Sequence, residues 1–195
     1  MATNSKRLTH TNSILPASVS NFLKRRAKEA IGIFLVLTSV GIAGALLTYN
    51  SQDPSFNSAA DLEASNILGT AGAWLADILL QSIGLASYIV PIIFLAWGWR
   101  ISTHRGLKLP WARLLLLPIT AVSVAISLGG LGTDSAWPFN SGFGGIVGDI
   151  TLENLTKIFS NVYSLEASVL ALIIGSFSFG LVLWILGFSA SEWVV

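Results

Sequence analysis

The chain has 195 residues, of which 53% are hydrophobic and only 11% charged, whereas a soluble domain carries about 25% charged residues. So few charges cannot clothe a globular surface, which excludes a water-soluble fold. A net charge of +1 lacks the basic excess of a DNA-binding domain, and zero cysteines exclude disulfides, cysteine-ligated zinc, iron–sulfur clusters and thiol catalysis.

In chain order, residues 1–29 read as a basic cytoplasmic tail, largely disordered: 1–20 are polar, rich in Ser and Thr and interrupted by Pro16. Residues 21–29 (NFLKRRAKE) are basic and amphipathic. Such a stretch can lie on the inner leaflet, but it is read here as a simple basic flank. Residues 30–49 (AIGIFLVLTSVGIAGALLTY) then form the first charge-free window. Ala43-Gly44-Ala45 resembles a signal-peptide cleavage site, but 29 residues precede the window, far more than a usual leader, so an uncleaved span is expected. No Gly follows Met1, which excludes myristoylation.

After it, Asn50-Ser51-Gln52-Asp53-Pro54-Ser55 is turn chemistry: Pro fixes φ while Asp and Ser bond nearby amides. Gly69, Gly72, Ala73 and Ala76 lead at helical spacing into the second window, 78–99. Small residues so spaced let another helix approach closely. Asp77 is expected in the first turn of that span, where exposed amides and the helix dipole favour a carboxylate; an ion or proton site is the other reading. The inner loop 100–113 is short and basic. Pro110 is expected to open the third window, 114–131, and Pro118 to kink it or mark a re-entry into helix.

The next loop crowds Gly142, Gly144, Gly145 and Gly148 together. No Lys-Ser/Thr follows Gly148, and Val147 stands where a dinucleotide fingerprint needs its third Gly, so nucleotide loops are excluded. Tight turning and close helix approach are the expected uses. Residues 150–163 have near-helical apolar spacing and suggest a short amphipathic helix on or in the outer face. The fourth window runs 167–188, closing a membrane domain over 30–191. Gly41/Ala45 and Ser176/Gly180 are small-residue pairs that offer contact faces.

Each window has the roughly 17–25 residues that cross a hydrocarbon core about 30 Å thick. Ten of the eleven basic residues lie before the first window (Lys6, Arg7, Lys24, Arg25, Arg26, Lys28) or between the second and third (Arg100, Arg105, Lys108, Arg113). Acidic residues favour the other loops: Asp53, Asp61, Glu63, Asp134, Asp149, Glu153 and Glu166. Lys and Arg resist translocation, so the basic side is cytoplasmic. The expected fold is an all-α integral membrane protein: four transmembrane helices as two hairpins, both termini cytoplasmic, with the amphipathic helix in the second periplasmic loop. Trp74, Trp97, Trp99, Trp111 and Trp193, with Tyr49 and Tyr88, sit mostly near window ends, as an interfacial belt would.

No window carries a charge near its centre, and Gln81 is the most polar side chain well inside one. His10 and His104 stand in different segments and cannot act together. No catalytic, cofactor-binding or metal-binding set emerges, so a non-catalytic anchor or assembly module is the expectation. A small multi-pass transporter or channel subunit is the alternative, with Asp77 and Gln81 its only candidate residues.

Four spans with Asn50-Ser51-Gln52-Asp53-Pro54-Ser55 after the first, Asn66-x-x-Gly69-x-x-Gly72-Ala73-x-Leu75-Ala76-Asp77 leading into the second, Gly84, Pro91, and glycines 142–148 before the last resemble the amino-terminal membrane domain of the bacterial FtsK/SpoIIIE DNA translocases. The resemblance covers about residues 22–190. It implies a septal anchor in the inner membrane that acts in cell division and chromosome partition, forms homo-oligomers and meets divisome membrane proteins. The family's ATP- and Mg-dependent hexameric motor, which alone contacts DNA, has no counterpart in these residues. Because the sequence stops at Glu192-Trp193-Val194-Val195, the resemblance implies a membrane-domain piece of such a translocase, with a stand-alone short homologue as second reading.

Overall fold

The computed structural model describes residues 16–55, 63–135, 137–163 and 166–187. The tail 1–15, Asp61, the end of the fourth window from Phe188 onward, and Trp193 lie outside the described residues. Among those described there is no strand; the elements are α1 (Ala17–Leu47), α2 (Gly69–Ile83), a 3-10 turn (Gly84–Tyr88), α3 (Ile89–Ser102), α4 (Pro110–Gly129), α5 (Gly145–Tyr163) and α6 (Ala167–Leu186). Four stretches are long and apolar enough to cross a membrane: Ser18–Leu47, Gly69–Ser102, Pro110–Gly129 and Ala167–Leu186. The protein is therefore an all-helical four-span membrane domain.

The first helix has 31 residues, about 46 Å at 1.5 Å per residue. That exceeds a hydrocarbon core of about 30 Å, so the basic stretch 21–29 is the leading part of the same helix. Here the structure differs from the expected disordered tail, which ended at 29.

The second window is not one helix. α2 ends at Gly84, whose φ of 58° is left-handed and suits only a residue without Cβ. Pro91 then has no N–H to offer the Ser87 carbonyl four residues earlier. Helix geometry tightens to 3-10 over Gly84–Tyr88 and resumes as α3. The broken span covers 34 residues, Gly69–Ser102, and starts well before the expected 78. α4 begins with Pro110 in its first turn after Leu109, which is left-handed, and passes through Pro118 as one helix.

α1 packs most extensively along α3, while α4 packs against both α6 and α5. The α1–α3 seam is a backbone contact. A Cβ on Gly32 would stand 2.8 Å from the Gly98 carbonyl oxygen, and one on Gly98 would stand 2.7 Å from that of Gly32. Three small cores follow. Ala45, Leu46, Ala76 and Leu80 join α1 to α2. Ile126, Leu152, Leu170 and Ala171 join α4, α5 and α6. Ile93, Trp97 and Ile185 join α3 to α6. Of the expected small-residue faces, Ala45 is fully buried, whereas Ser176 and Gly180 are exposed.

α5 is longer than expected, with 19 residues starting at Gly145. It packs on α2 and α4, with Leu152 buried. Trp97, expected in an interfacial belt, is instead a core residue. It is 6% exposed and its indole N–H donates to the Ile185 carbonyl at 2.7 Å. Trp74, Trp99 and Trp111 are exposed.

Candidate functional site

Where α1 gives way to α2, two buried polar residues tie the connecting loop to the helices. The Asp53 amide donates to the Asn50 carbonyl at 3.1 Å and the Gln52 amide to Asn50 Oδ1 at 3.0 Å, making the expected turn. The Asp53 carboxylate does more than cap that turn. It accepts the Ser65 amide and hydroxyl, both at 2.8 Å, and the Asn66 amide at 3.0 Å. Burial would raise the Asp53 pKa, but these bonds from Ser65 and Asn66 outweigh it and hold the carboxyl below its ordinary value.

Asn66 carries the link onward. Its side-chain amide donates to the carbonyls of Ala45 at 2.8 Å and Thr48 at 3.3 Å, at the open end of α1. Its Oδ1 accepts the Leu68 amide at 3.1 Å, and the Ile67 amide donates to Thr48 Oγ1 at 3.1 Å. Terminal carbonyls of α1 that lack helical partners are thus bonded from the next helix's approach. A Cβ on Gly72 would fall 2.1 Å from Asn66 Oδ1, which explains a Gly there. Gly69 opens α2 at φ 64°, and its amide donates to the Asn66 carbonyl at 2.7 Å. Ala73 is buried, and Pro54 and Ser55 are half-buried.

Asp77 lies in the interior of α2 rather than in a first turn, because the helix begins at Gly69; the dipole role expected for it does not apply. It is 3% exposed, and its Oδ1 accepts the Tyr49 hydroxyl at 3.0 Å and the Gln81 amide at 2.9 Å. Beside it opens a cavity of about 340 Å³ lined by polar Tyr49, Ser51, Ser55 and Gln81 and walled by Phe139 and Ile146. Tyr49 stacks on Phe139 with ring centroids 5.3 Å apart.

The glycines around the start of α5 make a backbone seam, the close helix approach expected of their crowding. A Cβ on Gly144 or Gly148 would lie 2.3 or 2.4 Å from the Ala125 carbonyl oxygen of α4. Gly145, at φ 66°, abuts the helix break: a Cβ there would meet the Gly84 nitrogen at 2.5 Å. The Leu85 amide donates to the Phe143 carbonyl at 2.9 Å. Asp149 accepts the Gly142 amide. The loop thus sets the start of α5 against both α4 and the broken span.

At the other end of the bundle, Arg113 performs a task that sequence reasoning assigned only to charge topology. It is 7% exposed. Its guanidinium donates to the Lys108 carbonyl at 2.7 Å, to the Ile185 carbonyl at 2.9 Å and to the Trp184 carbonyl, and lies 4.7 Å over the Trp184 ring. A cation at the C-terminus of α6 complements its dipole. Among the described residues, no group of three His, Cys, Asp or Glu side chains could hold a metal ion.

Four apolar spans, a polar knot at one end and a basic loop at the other define a polytopic helical membrane domain. Residues 24–193 match the family model described as the 4TM region of DNA translocase FtsK/SpoIIIE. The chain belongs to that family. It is 33% identical over 175 residues to a DNA translocase FtsK of Azospirillum brasilense, covering 88% of this chain and 27% of that protein. It is 34% identical over 160 residues to the FtsK of Bradyrhizobium diazoefficiens, covering 82% and 19%. It is 36% identical over 132 residues to that of Vibrio parahaemolyticus, covering 65% and 13%. The chain therefore spans about a quarter or less of the length of these relatives. No solved structure matches it at a significant level.

Proposed function

We propose that this chain is the membrane-anchoring, septum-targeting and assembly region of a DNA translocase acting in cell division and chromosome segregation, and that it performs no catalysis itself. The observation that carries the reading is the family match across 24–193 on a four-span helical domain. The distribution of charge supports an orientation. Ten of eleven basic residues fall before the first span or between the second and third, so both ends and the α3–α4 loop face the cytoplasm of the bacterial inner membrane. The knot at Asp53 and Asn66, and α5, then lie on the periplasmic side, where they meet divisome membrane proteins. Self-association through lipid-facing helix surfaces completes the assembly role. ATP, Mg and DNA engage only a motor region outside these residues.

A fluorescent fusion of the chain in dividing bacteria tests this reading. Signal concentrated at the division site is expected; uniform membrane fluorescence would contradict septal targeting.

A further inference from the structure

A second cavity, of about 450 Å³, opens at the end of α1 opposite the Asp53 knot, between Lys28 and Ile31 of α1, Ile101 of α3, and His104, Leu107 and Pro110 of the following loop and helix. It is two-sided in character. Ile31, Ile101 and Leu107 give an apolar floor, while Lys28 and His104 stand at its rim. No carboxylate lines it. Glu29, next to Lys28, binds Arg25 at 3.3 Å, Arg26 at 2.5 Å and the rim residue His104 at 2.9 Å, which leaves Lys28 as the cation open to a ligand. Lys28 is exposed, and no described residue hydrogen-bonds or ion-pairs with it. Lys24, Arg25 and Arg26 on α1 and Lys108 in the loop give the segments that form the cavity a basic excess in sequence.

Depth matters as much as charge. α1 passes from charged to apolar sequence at Ala30, between Lys28 and Ile31, so the cavity straddles the level where the chain enters hydrocarbon. Its loop wall has a defined shape. His104 and Leu109 hold left-handed backbone at φ 58° and 53°, which residues with a Cβ seldom adopt. Arg100 Nε donates to the Gly106 carbonyl at 3.2 Å and Arg113 Nε to that of Lys108, and these bonds pin the loop. A cationic rim over an oily floor at headgroup depth is complementary to a phosphodiester attached to acyl chains.

We propose that this cavity binds one anionic phospholipid, its phosphate held by Lys28 and the upper part of an acyl chain lying over Ile31 and Ile101. The site rests on the membrane reading of the fold; only its assignment to the cytoplasmic leaflet rests on the proposed orientation.

Native mass spectrometry of the detergent-solubilised chain, titrated with phosphatidylglycerol or phosphatidylcholine, tests the site without reference to septal targeting. Phosphatidylglycerol should bind more tightly than phosphatidylcholine. K28A should weaken it about fivefold, the effect of one basic residue at a membrane surface, and K28R should restore it. I31W, which fills the cavity and leaves the charge unchanged, should weaken it as well, whereas K157A on α5 should not. An excess of inorganic phosphate should not displace the lipid. Equal binding of the two lipids, wild-type binding by both K28A and I31W, or displacement by phosphate would overturn the proposal.

Discussion

At the scale of single residues, Asp53 shows how one carboxylate organises a loop. Turn chemistry at Asn50–Ser55 is readable in the sequence, but the bonds from Asp53 to Ser65 and Asn66 are not, since no local pattern says which amides a side chain will meet twelve residues on. Removing the acceptor strands buried donors, each costing about 1–3 kcal/mol. Asp53→Ala should therefore destabilise the domain by about 2–3 kcal/mol, seen as a lower Tm in detergent by tryptophan fluorescence, with exposed Glu63→Ala near neutral. Acid should give the same result in wild type. A carboxyl whose folded pKa lies below its unfolded value of about 3.9 contributes stability that is fully present above that value and lost as pH falls through the folded pKa. The Tm gap between wild type and Asp53→Ala should thus be constant near neutrality and close in strongly acidic buffer. Asp77 teaches a related lesson. Its pairing with Gln81 fits helical spacing, but its partner Tyr49 comes from the end of α1, and its place inside α2 depended on where that helix began.

At the scale of elements, long apolar windows were legible because hydrocarbon thickness fixes their length. Their ends and breaks were less so. The two causes of the interrupted second span, Gly84 and Pro91, were visible as residues, yet only the positive φ at Gly84 and the 3-10 turn show them acting together. The backbone seam of Gly32 against Gly98 escaped notice because the pairing is between helices: Gly98 and Ser102 form a small-residue pair in α3, but nothing local says that Gly32 of α1 faces them. Opposite signs are expected from two glycine-to-alanine changes. Gly98→Ala must push backbone apart from backbone and should cost about 1–3 kcal/mol. Gly180→Ala meets nothing within 4 Å and should be neutral or stabilising by up to about 1 kcal/mol through helix propensity. Thermal unfolding of the two variants side by side checks the contrast. The seam between α5 and α4 at Gly144 and Gly148 was foreseen as close approach, though the start of the helix at Gly145 was not, since a glycine cluster reads as loop until its neighbours are known.

At the scale of the whole molecule, the excess of apolar residues and the one-sided placement of Lys and Arg describe a domain folded twice across a bilayer. The four spans were legible because hydrocarbon thickness sets the length of every one of them regardless of packing, while the one-sided Lys and Arg carry the proposed orientation. What composition did not reveal is that the basic end is also built: Arg113 ties α4 to the last carbonyls of α6. If that tie matters to assembly, Arg113→Ala should lower Tm by a few degrees where Arg113→Lys, which keeps charge but loses the planar fork, restores only part. The central claim is the arrangement of the four spans with both ends on the cytoplasmic face. The chain has no cysteine, so single Gln52→Cys, Thr133→Cys and Thr103→Cys variants, all at exposed positions, can be treated with a membrane-impermeant maleimide in intact spheroplasts. The account predicts labelling at 52 and 133 and protection at 103 until the membrane is permeabilised. Labelling of 103 in intact cells, or of 52 and 133 from opposite sides, would contradict it.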